Sequence, residues 1–173
     1  AKTRKRELIE ACDILGVKKV KLLGFKDGFL YVSPDTLAAV GQIIRSEKPE
    51  RVYVHHGDAP WGEDNPDHIN TYRLVMIAIN RGPHPNYPQM GSEPWLTKEV
   101  YAFEVPTYPL YAPTSFMDIT DVIDIKLEAL RRHGSQAYWE GIDLIKSMNR
   151  WRGIVSQRGT YVEAFKAIRT LIF

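Results

Sequence analysis

The sequence predicts an α/β fold, Rossmann-like, with a mainly parallel sheet covered by helices on both faces. Three observations carry that expectation. Amphipathic helical stretches alternate with short β-branched stretches along most of the chain, the rhythm of right-handed βαβ units. Helix-start and turn signals, Asp27-Gly28, Ser33-Pro34 and Asn65-Pro66, fall between those stretches. The 173 residues are 44% hydrophobic and 25% charged, the composition of a single globular domain, 1–173, with one sizeable core.

Arg4 to Leu15 reads as a helix, with Leu8, Ile9, Ala11, Cys12 and Leu15 on one broad face and Gly16 as its stop. Lys19–Leu23 reads as a short strand in which Val20 and Leu22 alternate with lysines, and Asp27-Gly28 turns the chain after it. Ser33 is a helix cap with proline at the first helical position, and Leu37, Val40, Ile43 and Ile44 give the helix an apolar face that ends before Pro49. Arg51–Val54 is the next strand. Asn65-Pro66-Asp67 opens a third helix, with Ile69, Tyr72, Met76 and Ile79 at helical spacing.

From Gly82 to Pro113 lie seven of the eleven prolines, which predicts long surface loops around a strand at Val100–Val105. Phe116–Ile119 is a short strand, Thr120-Asp121 opens a helix to about His133, and a further helix covers about Tyr138–Arg150. Tyr161–Ala167 closes the series as a strand. In such sheets ligands bind beyond the carboxyl ends of strands, so the segments to search are 24–29, 55–68 and 118–121.

Composition excludes several classes. No apolar run approaches the roughly 18 residues of a membrane span, and no signal peptide is recognisable at the start. A single cysteine, Cys12, forms no intrachain disulfide, which points to a reducing, cytoplasmic setting. The net charge of +2 gives no reason to expect nucleic acid as a partner, although residues 1–26 carry eight basic against three acidic side chains.

Segment 55–68 is the densest in chemistry, with three imidazoles (His55, His56, His68) and four carboxylates (Asp58, Glu63, Asp64, Asp67). Neutral imidazole and carboxylate are both zinc ligands. His68 would sit in the first turn of its helix, where the dipole disfavours imidazolium and keeps a lone pair available. Asn65, Pro66 and Asp67 equally make a good helix start: a cap, a fixed φ and an acid facing the dipole. Tandem histidines on a strand point to opposite faces, so His55 and His56 cannot both face one site. Trp61, Tyr87, Trp95, Tyr108 and Tyr111 are compatible with stacking on sugar faces or with loop packing.

A set of short motifs in a fixed order goes further. These are Arg4-Lys5-Arg6-Glu7 with Ile14-Leu15-Gly16-Val17; Leu23-Gly24-Phe25-Lys26-Asp27-Gly28; Asn65-Pro66-Asp67-His68; Asp118-Ile119-Thr120-Asp121 with Lys126; His133-Gly134-Ser135-Gln136; and Tyr161-Val162-Glu163-Ala164-Phe165. Together they resemble the LmbE/PIG-L family of zinc-dependent de-N-acetylases. The resemblance implies hydrolysis of the acetamide of an N-acetylated sugar. One zinc ion would polarise the carbonyl and acidify a bound water, and a carboxylate would take the proton.

By the same resemblance His68 is a metal ligand, and Arg4 and Asp27 hold sugar hydroxyls. Asn65 stands where the family has a histidine that stabilises the intermediate or protonates the amine. Asparagine donates a hydrogen bond but delivers no proton at neutral pH, so another group such as His56 would have to supply it. Asp67 stands where the family has the acid that supports that histidine. The His133–Gln136 motif is expected to be structural.

One departure matters more. The family's His-Pro-Asp-Asp motif, which carries two metal ligands and the general base, is not in the sequence, and neither is the first βαβ unit that holds it. The resemblance therefore implies that this chain is the larger part of a longer protein. The expected partner is a small N-acetylated sugar, and a homo-oligomer is compatible with the sequence. The contrasting expectation is a non-catalytic saccharide- or partner-binding relative without a metal centre.

Overall fold

The computed structural model describes residues 2–57, 65–91, 93–105, 112–136 and 139–170. The elements are α1 (Lys2–Ile14), α2 (Pro34–Glu47), β1 (Arg51–His55), α3 (Pro66–Arg81), β2 (Glu99–Phe103), β3 (Ser115–Asp118), α4 (Ile123–Arg131), α5 (Trp139–Ser156) and β4 (Val162–Thr170). A short 3-10 turn at Pro88–Met90, which the sequence does not announce, lies between α3 and β2. The sheet order is β1-β2-β4-β3; β1 and β2 run parallel, and β4 is antiparallel to β2. The α/β class stands, with a mixed sheet. The antiparallel pair arises because β4 returns to β2 from the C-terminal part of the chain rather than through a βαβ crossover.

The chain divides into two compact units, residues 1–22 with 116–164, and residues 23–115 with 165–173. In the second, α2 begins as its sequence dictates. Ser33 caps it, Pro34 occupies its first turn, and Thr36 returns a bond to the Ser33 N–H at 2.9 Å. Leu37 and Ile44 from α2, Val54 from β1, Leu74, Ala78 and Ile79 from α3, Met90 and Val100 form one buried cluster. Through it α2, α3 and the sheet strands are locked together. Full burial of each large apolar side chain contributes about 1.5–3 kcal/mol.

Arg45 is also buried in this unit, at 2% exposure. Its guanidinium donates to the main-chain carbonyls of Gly82, Tyr87, Gly91 and His84, so it organises the loop that leaves α3. Trp95 and Tyr87 pack against the apolar cluster, and Trp95 Nε1 donates to the Pro49 carbonyl at 2.8 Å. Of the two readings of these aromatics, loop packing is the one their contacts support. Trp61, Tyr108 and Tyr111 lie outside the described residues.

In the first unit, Ile119, Ile123, Leu127 and Ile142 form a smaller core, with Tyr161 against it. Two of the quoted motifs prove to be parts of one bonded assembly. Lys126 pairs with Glu163 at 2.5 Å and donates to Asn149 at 2.9 Å, and Asn149 in turn holds the Val162 carbonyl. The Thr120 hydroxyl accepts the N–H groups of Thr160 and Tyr161. Helix α5 comes so close to residues 159–160 that a Cβ at Gly153 would collide with the Thr160 carbonyl oxygen.

Two expectations need correction. Lys19–Leu23 forms no strand, and Leu22 and Leu23 are 50% and 44% exposed. Alternation alone does not make a strand; its N–H and C=O groups need a neighbouring strand, and no described strand pairs with this segment. The apolar face of α1 is also narrower than its sequence suggests. Ala11 is buried, Ile9 and Leu15 are exposed, and the acidic Glu7 is buried instead.

Candidate active site

The second unit gathers most of the residues singled out above. Asn65 caps α3, its Oδ1 accepting the Asp67 N–H at 3.0 Å, and Pro66 fixes the first helical φ. These local preferences place Asp67 and His68 in the first turn. His68 lies with its ring stacked on His55, centroids 4.1 Å apart and planes inclined by 11°, and its Nδ1 is buried. His55 ends β1 and also meets the Phe103 ring at the end of β2, so the pair sits beyond the carboxyl ends of two parallel strands. The strand alternation decides that only one of the tandem histidines takes this place, and it is His55.

Asp67 reaches back across the chain. Its carboxylate accepts the N–H of Gly28 at 2.6 Å and that of Leu30 at 3.1 Å. Asn70 Nδ2 donates to the Leu30 carbonyl at 2.7 Å. The Asp27-Gly28 turn is thereby fastened to the start of α3. Gly28 has a φ of 78°, the left-handed region that glycine adopts without penalty. Sequence reading missed this link, since the partners are 37 and 39 residues apart with no shared motif.

Among the described residues no three His, Cys, Asp or Glu side chains converge as a metal site. His68 offers an imidazole, but its neighbour Asp67 already accepts two main-chain N–H groups. Among the described residues the donor set therefore fits one ligand of a metal ion and not a complete centre.

Arg4 lies in the first unit, on the exposed side of α1. One turn on, the Glu7 carboxylate accepts the Ser135 N–H at 2.8 Å and its hydroxyl at 2.5 Å. This fastens the His133–Gln136 motif to α1, a structural task. The Ser135 hydroxyl, opposed by desolvation and aided by the Ser135 N–H, His133 and Arg6, holds the Glu7 carboxyl below the usual carboxylate range. A depressed folded pKa gives stability that is fully present above the unfolded value and is lost as pH falls through the folded one. Acidification through that window is expected to release Ser135. Hydrogen exchange at the Ser135 amide should accelerate there in the parent and lose this pH step in Glu7→Gln.

A helix start that carries an imidazole, at the carboxyl ends of parallel strands in a Rossmann-like sheet, lies where α/β folds bind their ligands. The chain is more narrowly a relative of the PIG-L/LmbE de-N-acetylases, since residues 1–79 match the family described as PIG-L, GlcNAc-PI de-N-acetylase. It is 32% identical over 137 residues to a diacetylchitobiose deacetylase of Thermococcus kodakarensis, covering 77% of this chain and 49% of that protein. It is 33% identical over 138 residues to a probable N-acetyl-alpha-D-glucosaminyl L-malate deacetylase 2 of Bacillus cereus, covering 77% and 57%. The solved N,N'-diacetylchitobiose deacetylase of Pyrococcus horikoshii superposes with a TM-score of 0.83 at 27% identity, over 96% of this chain and 63% of that one. The chain thus spans about half the length of the curated relatives it matches.

Proposed function

We propose that the protein hydrolyses the N-acetyl group of an N-acetylglucosamine-type sugar or conjugate, releasing acetate and an amine. The observation that carries this reading is the joining of the Asp27-Gly28 turn, through the Gly28 N–H, to the helix start that holds Asn65, Asp67 and His68. The relatives named as deacetylases of N-acetylated sugars support the substrate class.

His68 contributes one imidazole to a divalent metal, zinc by family resemblance, whose remaining ligands come from outside the described residues. When bound, such an ion polarises an amide carbonyl and acidifies water. Asn65 has spent its carbonyl oxygen on the helix cap, which leaves its amide N–H groups to donate to the acyl oxygen as negative charge develops. Arg4 and Asp27 hold sugar hydroxyls. A cytoplasmic setting suits the single cysteine, and no helix among the described residues is long and apolar enough to cross a membrane.

The test is acetate release from N,N'-diacetylchitobiose and N-acetylglucosaminyl-inositol by the full-length protein, with and without a chelator. The expected result is release that a chelator abolishes and added zinc restores. The contrasting reading is a saccharide-binding relative without catalysis. Saccharide binding unaffected by chelator, with no acetate released, would establish that reading instead.

A further inference from the structure

Asp67 stands where the family resemblance assigns support of a histidine at position 65, and position 65 is asparagine. Its carboxylate is engaged elsewhere. Oδ2 accepts the N–H of the peptide joining Asp27 to Gly28, and Oδ1 accepts the Leu30 N–H. Asn70, on the next residues of the same helix turn, holds the Leu30 carbonyl. The Phe29 N–H closes the turn on the Lys26 carbonyl at 3.0 Å, with Gly28 left-handed at its centre.

A turn built on glycine has many conformations open to it, and Gly28 and Phe29 lie on the exposed surface without a core to hold them. Bonds from N–H groups to an ionised carboxylate are stronger than those between neutral groups, so Asp67 is the strongest tether in view. Asp67 and His68 are consecutive residues of one helical turn. The tether therefore connects the backbone of Asp27 rigidly to the backbone of His68.

We infer that Asp67 is a positioning residue for the saccharide site: it fixes the Asp27-Gly28 turn on the first turn of α3, so that the Asp27 carboxylate meets sugar hydroxyls in a register set by the helix that carries His68. The inference rests on the reading of Asp27 as a sugar-binding residue. It replaces the histidine-supporting role of Asp67 with a role in substrate recognition.

The experiment uses the full-length protein and the variants Asp67→Asn, Asn70→Ala, Asp27→Ala and the double variant Asp67→Asn/Asp27→Ala. Asp67→Asn keeps the helix start and one acceptor oxygen, and Asn70→Ala loosens the same turn without touching Asp67. The readouts are amide exchange at Gly28 and Leu30, metal content, equilibrium binding of N,N'-diacetylchitobiose, and KM and kcat for acetate release. Asp67→Asn is expected to speed exchange at both amides and to weaken saccharide binding about tenfold, with KM rising in step and kcat within about twofold of the parent. Metal content should be that of the parent, and Asn70→Ala should act in the same direction with a smaller loss. Because both residues act through one turn, Asp67→Asn should add less than about twofold to the loss caused by Asp27→Ala.

A fall in kcat with saccharide affinity retained, or losses from Asp67→Asn and Asp27→Ala that multiply independently, would overturn the inference. A parent that binds no saccharide overturns it too. If the parent binds saccharide and metal yet releases no acetate, the de-N-acetylase reading fails. The binding and exchange measurements then still decide the role of Asp67.

Discussion

Replacement of His68 by alanine in the full-length protein is expected to lower acetate release by more than about 10³-fold, beyond the usual loss of a single oxyanion donor. Metal affinity should fall by more than the ten- to hundredfold typical of outer-shell partners. The reason lies in how the ring is placed. The helix cap at Asn65 and the proline at 66 fix the backbone at position 68, and His55 covers one face of the imidazole. Asn65 and Asp67 precede His68 in the sequence and keep their own bonds in the variant, so the helix start should survive, with the melting temperature close to that of the parent. Equilibrium dialysis against zinc and an acetate assay on N,N'-diacetylchitobiose are the measurements. A variant that binds zinc and releases acetate like the parent would remove His68 from the site.

Replacement of Arg45 by methionine is expected to destabilise the protein by about 3–5 kcal/mol, since several buried carbonyls lose their donor at once. Arg45 is 2% exposed, and its fork satisfies carbonyls of Gly82, His84, Tyr87 and Gly91 at once. Methionine fills much of the volume but leaves those carbonyls without their donor. Each buried polar group left unsatisfied costs about 1–3 kcal/mol, less where the loop opens to water. Arg45→Lys should also be destabilised, since a compact ammonium with three donors cannot span four carbonyls held in a planar fork. Urea unfolding gives the free energy, and hydrogen exchange over residues 82–91 should accelerate most. A midpoint for Arg45→Met within about 1 kcal/mol of the parent would show that the loop is held by other means.

Both sites illustrate how far the sequence could be read. The helix starts at Ser33-Pro34 and Asn65-Pro66 were legible, and with them the placement of Asn65, Asp67 and His68 in one turn. Caps and proline act on dihedral angles within three or four residues, so their effect does not wait for the rest of the fold. The motif order was legible in the same sense, because the resemblance depends on residue identity along the chain. Arg45 was not. On paper it is an ordinary basic residue near the end of a helix, and its acceptors are carbonyl groups that every residue possesses.

The sequence by itself determined the α/β class, the helix starts and the family resemblance, all of which follow from local preference and residue order. Tertiary structure decided which of His55 and His56 meets His68, what Asp67 and Glu7 hold, and that Lys19–Leu23 forms no strand. Glu7 and Ser135 are 128 residues apart, and Asp67 finds its partners 37 and 39 residues upstream. A carboxylate will accept from any N–H or O–H that packing brings within reach, and a strand forms only where another strand offers its backbone. Such choices are made by the three-dimensional proximity of groups that are chemically common, so no local pattern of residues encodes them.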